Sequence, residues 1–175
     1  AGTGNLTAPF EGDFTVRSNL TNNGVFNANS GTAIFSGTSP KNIQGSNLTA
    51  FHNLNIINSA NVSVLGSSDL MNILTLADGV TFDADGTGSA IFTLKSTDLR
   101  DASIGPIGTV NISGNFTIER RIQRRDPTLN SGYHSVGFPA IGVTVADIQV
   151  ELPINGTFSG ASGYSVGGIN PNNPS

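Results

Sequence analysis

The chain has 175 residues, enough for one domain or for one domain and a fragment. Charged residues make up 11% of it, against about 25% in ordinary globular domains, and the formal net charge of −4 argues against nucleic acid as a partner. The absence of cysteine excludes disulfides, thiol catalysis and thiolate metal sites, and no apolar run approaches the roughly 18 residues that a membrane span requires.

The first segment, residues 1–11, has two glycines and a proline around Leu6 and Phe10, and we expect it to form a poorly paired lead-in or cap. The chain begins at Ala1 without a methionine or a signal-peptide pattern. We therefore expect a processed or excised piece of a longer protein, with the other domains of that chain as its partners.

From Gly12 onward, a short apolar–polar–apolar triplet recurs at steps of 18 to 21 residues. Its copies are Phe14-Thr15-Val16, Ala33-Ile34-Phe35 (whose parity is ambiguous), Leu54-Asn55-Ile56, Leu74-Thr75-Leu76 and Phe92-Thr93-Leu94. In such a triplet the outer residues share one face of a strand and the middle residue points the other way. A second apolar run, such as Val80 with Phe82, follows most copies. Two short strands per unit of roughly 20 residues predict the coil of a β-solenoid.

We therefore predict an all-β protein with a parallel β-solenoid over residues 12–115. The outer residues of the triplets should point inward in register, and in the second copy the inward residue should be Phe35. The middle residues Thr15, Asn55, Thr75 and Thr93 should face outward. Neutral polar residues suit this fold because stacked amides and hydroxyls can hydrogen-bond where stacked charges would repel. One passage, Asp69 to Asp78, also fits the spacing of an amphipathic helix, but the repeat favours a strand there.

The stretch from Asp78 to Gly88 contains the first candidate site. Asp83, Asp85 and Gly86 resemble part of a calcium loop, in which oxygen ligands alternate and glycine permits a sharp bend. The glutamate that would complete an EF-hand is missing, because Leu94 stands at the twelfth position. Asp-Gly pairs are also ordinary turn residues. Turn formation is the favoured interpretation, with no cofactor, and calcium bound by the two aspartates is the alternative.

The second candidate site is a cluster of arginines that begins at Arg120. Four of the eight basic residues lie within six positions, and Arg120 and Arg124 would share one face of a strand. Each could hold a carboxylate or sulfate bidentately, which would suit a glycan. The favoured interpretation is a solvated cap at the boundary between two modules, paired with Glu119 and Asp126, and ligand binding is the alternative. We place this boundary near residue 115, with a β-rich module or cap over residues 116–166 and a linker-like tail over residues 167–175.

Several segments resemble large secreted surface proteins of Bacteroidetes. The resemblance rests on Phe92 to Ser96, Ala102 to Gly105, Ile112 to Ile122 and Gly132 to Pro139, together with Asn22 to Thr32 and Phe51 to Ser59. In that family such segments follow solenoid-like repeats. The resemblance implies export through the type IX secretion pathway, contact with the secretion machinery, and a secreted or cell-surface location.

The sequence contains no combination of acid, base and nucleophile typical of an enzyme, so we expect no catalysis. His52 and His134 stand apart from any catalytic motif, and no serine lies in a Gly-x-Ser-x-Gly elbow. The leading expectation is a structural, adhesin-like segment that serves as a stalk or presentation scaffold. The alternative is a glycan-binding module, attached to a secreted carbohydrate-active enzyme.

Overall fold

The computed structural model of the chain describes residues 4–86, 88–97 and 99–120. All regular secondary structure in these residues is strand, and none of them belongs to a helix that could cross a membrane. The strands are β1 (Asn5–Thr7), β2 (Asp13–Val16), β3 (Leu20–Thr21), β4 (Val25–Asn27), β5 (Thr32–Phe35), β6 (Lys41–Gln44), β7 (Thr49–Ile56), β8 (Asn61–Val64), β9 (Ser68–Leu76), β10 (Thr81–Asp83), β11 (Phe92–Leu94), β12 (Ser103–Ile104), β13 (Asn111–Ser113) and β14 (Phe116–Ile118).

The strands stack in three columns, which we call A, B and C, and the named strands pair in parallel within them. Column A contains β2, β5, the second halves of β7 and β9, and β12. Column B contains β3, β6, β8, β10 and β13. Column C contains the two-stranded sheet of β1 and β4, followed by the ladder of the first halves of β7 and β9, β11 and β14. The strand β4 contacts β7 but belongs to a separate sheet. One coil passes once through each column, so the described chain forms a parallel β-solenoid of about five coils, as predicted.

The core runs along the inside of the stack because alternate residues of each strand point inward. In column A, Val16 lies beside Phe35, Phe35 beside Ile56, and Ile56 beside Leu76, and all four are buried. Phenylalanine rings bridge the columns: the centroid of Phe82 lies 5.4 Å from that of Phe92. Full burial of one such side chain stabilises the fold by about 1.5–3 kcal/mol.

The inward prediction for the triplets is confirmed, with one residue at the margin. Phe14 is only half-buried because it lies in the first coil, at the end of the stack. Ala33 and Phe35 are the inward pair of the ambiguous copy. Thr93 alternates with inward residues as predicted, yet it is buried, because Asp69 and Thr117 flank it in the adjacent coils.

The register between coils differs from the prediction at two copies. Phe35 lies beside Val16, whereas the spacing of the triplets predicted that it would lie beside Phe14. Phe92 lies beside Ser68 in column C and is not in register with Leu74 in column A. The reason is that each coil has three strands, where two were predicted. The strands β7 and β9 each turn the corner from column C to column A, and the pairing register between them shifts at this corner.

The strand choice for Asp69 to Asp78 is confirmed, since Ser68–Leu76 forms β9. Within the predicted lead-in, β1 pairs with β4. Beyond the boundary predicted near residue 115, Phe116–Ile118 still pairs with β11, and the compact unit that contains the solenoid extends to Arg121. The remainder of the predicted module and tail, over residues 121–175, lies outside the described residues.

Candidate functional site

The two aspartates predicted to bind calcium lie at the end of β10, where the chain leaves column B. A carboxylate oxygen of Asp83 accepts a hydrogen bond from the backbone N–H of Asp85 at 3.4 Å, which is the hydrogen bond of an Asx turn. Asp85 in turn accepts a bond of 2.6 Å from Nδ2 of Asn115, one coil further on. The structure therefore brings both carboxylates together and joins them to the next coil.

Both carboxylates approach Gly114, whose φ of 82° belongs to the left-handed region that favours glycine. A Cβ on this residue would lie 2.6 Å from Oδ1 of Asp85 and 2.9 Å from Oδ1 of Asp83. Calcium takes six to eight oxygen ligands, and no group of three or more acidic, histidine or cysteine side chains converges among the described residues. Asp83 and Asp85 thus have the geometry of a turn, and calcium binding by the two carboxylates stays the alternative hypothesis.

The arginine cluster is described only at its first member, since Arg124 lies outside the described residues. Nη1 of Arg120 donates to the backbone carbonyls of Glu119, at 2.8 Å, and Ala102, at 3.5 Å. The carboxylate of Glu119 binds Nζ of Lys95, which stands beside it one coil earlier. The expected pairing of Glu119 with the arginines is therefore wrong for Arg120, because Lys95 occupies that carboxylate.

Three charged side chains share the outer face of column C and shift one another's ionisation. The hydrogen bond between Lys95 and Glu119 raises the pKa of the lysine and lowers that of the glutamate. Burial raises the pKa of Asp69, partly offset by the nearby Lys95. The pair is part-exposed, and such pairs contribute little more than about 0–1 kcal/mol. The outer face of column C therefore carries charged side chains that interact between adjacent coils.

His52 lies on the surface beside Arg100. Nε2 of the ring is 3.3 Å from Nη1 of the guanidinium, which donates, so the ring proton belongs on Nδ1. Burial, and then the charge of Arg100, lower the pKa of His52. The neutral ring acts as a hydrogen-bond acceptor for an arginine. His134 lies outside the described residues.

Asparagine side chains tie successive coils together at the corners, as the stacking expectation required. Nδ2 of Asn72 donates to Oδ1 of Asn53 at 2.6 Å, and Nδ2 of Asn47 donates to the carbonyl of Gly24 at 2.7 Å. Oδ1 of Asn23 accepts the backbone N–H of Ser46 at 3.0 Å. Asn47 and Asn23 thus satisfy backbone groups of a neighbouring coil, and Asn72 and Asn53 pair through their side chains.

A buried polar pair in the second and third coils escaped the sequence analysis. Lys41 is only 4% exposed, and it occupies an inward position of column B beside Val62. Its Nζ donates to the carbonyl of Ser39 at 3.1 Å. The same carbonyl accepts Nδ2 of the fully buried Asn58 at 3.0 Å. The alternation of Lys41 with the inward Ile43 is the signal that could have revealed this lysine.

Comparison of the chain with protein-family models, curated proteins and solved structures finds no match. Arguments about function therefore rest on the residues themselves.

Proposed function

We propose that this chain is a structural segment of a secreted or cell-surface adhesin-like protein, where it acts as a stalk or presentation scaffold. The observation that carries the proposal is the coil-by-coil architecture. Successive coils pair through parallel strands and share one continuous core. In such a stack each coil contacts only its neighbours, so a stalk can lengthen without redesign of its core.

The polar links between coils support the same role. The asparagine bonds and the Lys95–Glu119 pair run from one coil to the next. These links, like the strand ladders, therefore resist separation of adjacent coils. The resemblance of several segments to secreted surface proteins of Bacteroidetes is consistent with this role and supplies the proposed route, type IX secretion.

A spacer swap in the full-length protein tests the proposal. Residues 12–115 are deleted, and in a second variant they are replaced by an unrelated β-solenoid of equal length. The stalk proposal expects that adhesion of cells carrying the protein falls on deletion and returns with the unrelated spacer. Failure of the unrelated spacer to restore adhesion, with equal surface display, would refute it.

A glycan array with the chain itself separates the stalk from the glycan-binding alternative. The stalk proposal expects no saturable binding. Sub-millimolar binding to one glycan class, lost in the variant Arg120→Ala with Arg124→Ala but kept in Arg17→Ala, would establish a binding module in its place. Arg17 is a suitable control because it is exposed and lies in the first coil, far along the stack from Arg120.

A further inference from the structure

The turn between β3 and β4 contains a chemically reactive dipeptide, Asn23-Gly24. In such a pair the backbone nitrogen of the glycine can attack Cγ of the asparagine, because glycine has no side chain to hinder the approach. A bond forms between N of Gly24 and Cγ of Asn23, the bond from Cγ to Nδ2 breaks, and Nδ2 leaves as ammonia with the proton of the Gly24 N–H. Water then opens the cyclic imide, which yields aspartate or isoaspartate.

Both reacting groups of this pair are held by hydrogen bonds. Oδ1 of Asn23 accepts the backbone N–H of Ser46 at 3.0 Å and the hydroxyl of the same residue at 3.3 Å. The backbone N–H of Gly24, which must be released before its nitrogen attacks, donates to Oδ1 of Asn22 at 3.2 Å. The carbonyl of Gly24 accepts Nδ2 of Asn47 at 2.7 Å. Cyclisation of the pair therefore requires that these bonds open.

Asn22 joins the reactive pair to the interior of the next coil. It is only 6% exposed, and its Nδ2 donates to the carbonyl of Leu48 at 2.9 Å and to Oγ1 of Thr49 at 3.3 Å. Its backbone N–H donates to the carbonyl of Gln44 at 2.8 Å. All of these partners lie within residues 44–49 of the second coil, so the bonds are independent of whatever precedes the first coil.

The glycine of the pair has no room for a side chain that would slow the reaction. A Cβ on Gly24 would collide with the backbone carbonyl oxygen of Gly4. Asparagine and glycine are also the residues that suit a tight turn. The turn thus contains a chemically labile pair, and the second coil supplies the bonds that restrain it.

A similar arrangement recurs at the Asp-Gly pairs of the described residues, Asp78-Gly79 and Asp85-Gly86, which cyclise by the same attack with loss of water. Oδ1 of Asp78 accepts the backbone N–H of Thr109 at 2.9 Å. The carboxylate of Asp85 accepts Nδ2 of Asn115 at 2.6 Å. Both donors stand one coil further on. In each pair the side-chain oxygen is therefore bonded by the coil that follows.

From these contacts we infer that Asn23 is a covalent modification site whose deamidation is controlled by the stacking of the second coil on the first. In the closed stack the pair is protected, and it deamidates when residues 22–24 separate from residues 44–49. Folded proteins open locally in this way at a free energy below that of global unfolding. Because the ammonia is lost, the reaction is irreversible and records that the two coils have separated.

The two products differ in whether the coils can close again. A carboxylate at position 23 accepts both bonds from Ser46 as Oδ1 of the amide does, so the aspartate product is compatible with the fold. Isoaspartate adds a carbon atom to the main chain of the turn, so β3 and β4 would no longer enter columns B and C in their present register. Formation of isoaspartate should therefore keep the two coils apart.

The test is the rate of deamidation of Asn23, measured by mass spectrometry after the full chain has been incubated at neutral pH and digested with trypsin. Trypsin cleaves after Arg17 and Lys41, and fragmentation of peptide 18–41 locates the change at Asn23. The rate in the folded chain should be lower than in the urea-unfolded chain by about a hundredfold or more, because several hydrogen bonds must break together.

Two variants should raise the rate in the folded chain. Asn47→Ala removes one bond to Gly24, and the rate should rise by about fivefold, the factor that corresponds to one hydrogen bond of ordinary strength. Asn22→Ala frees the N–H of Gly24 and removes two bonds to the second coil, so the rise should be about tenfold or more. Asn72→Ala is the matched control, because it removes a side-chain bond of 2.6 Å between two other coils, and it should leave the rate unchanged.

Equal rates in the folded and unfolded chains would overturn the inference, because the stack would then give no protection. An unchanged or lower rate in either Asn22→Ala or Asn47→Ala, or an equal rise in Asn72→Ala, would overturn it as well, since bonds from the second coil would not be what restrains the pair. Rates are compared well below the urea midpoint of each variant. In urea the variants should react as fast as the unaltered chain, which excludes an effect on the chemistry of the pair itself.

Discussion

Replacement of Asn58 by alanine should destabilise the solenoid, because it removes a buried side chain that joins two coils. The side chain is fully buried, and its Nδ2 donates to the carbonyls of Ser39 and Ala60, each at 3.0 Å. Each bond has a net value of about 1 kcal/mol. The carbonyl of Ser39 keeps Lys41 as a donor, whereas the carbonyl of Ala60 loses the donor of Asn58, which adds a desolvation cost. The free energy of unfolding should therefore fall by about 2–3 kcal/mol. For a chain of this length that corresponds to a Tm lower by about 5–10 °C.

Urea unfolding followed by circular dichroism measures this loss. Asn55→Ala is the control, because Asn55 is an outward, half-buried residue of the next strand upstream, and it should change stability by less than about 0.5 kcal/mol. If the two variants lose the same stability, or if Asn58→Ala loses less than the control limit, then the bonds between the corner loops do not hold the coils together as argued.

Three further outcomes are expected. Phe82→Ala, which empties a fully buried position, should lower the free energy of unfolding by about 3–5 kcal/mol, whereas Leu99→Ala at an 88% exposed position should leave the urea midpoint unchanged. Because the pKa of His52 is lowered from 6.5, the unfolded chain takes up a proton at a higher pH than the folded chain. The free energy of unfolding should therefore fall as the pH drops below 6.5. His52→Gln should remove this part of the pH dependence, as measured by urea unfolding at several pH values. Calcium at millimolar concentration should not raise the Tm, and a rise that disappears in the double variant Asp83→Asn with Asp85→Asn would instead establish the calcium alternative.

The period-2 triplets predicted which residues point inward because this property is local. Leu54 and Ile56 flank Asn55 in one strand, and alternation alone fixes their faces. Within column C, the triplet of Phe92 to Leu94 was recognised, but the first halves of β7 and β9 escaped prediction. Their inward residues Thr49 and Ser68 are polar and buried, so these segments lack an apolar alternation. A polar residue can take an inward position at a corner where its hydroxyl finds a backbone carbonyl, as Ser68 does with Gly66.

The register between coils could not be predicted from the spacing of the triplets, because the corners between strands vary in length. Phe92 lies 24 residues after Ser68, whereas Ser68 lies 19 residues after Thr49. The extra residues fall in the segment between β10 and β11, which no periodic pattern constrains. Contacts across coils were hidden for the same reason: the sequence placed Asp83 beside Asp85, but not Asn115 beside Asp85.

The low charge content of the chain follows from the geometry of a stack. An outward residue has its nearest neighbours in the coils above and below, about 4.8 Å away, so a repeated charge would face its own kind. Two like charges at about 4 Å repel by about 1 kcal/mol even in water, and the cost recurs at each coil. Amides avoid it, since Asn72 and Asn53 donate and accept in turn. Where charges do stack, as with Lys95 and Glu119, the signs are opposite.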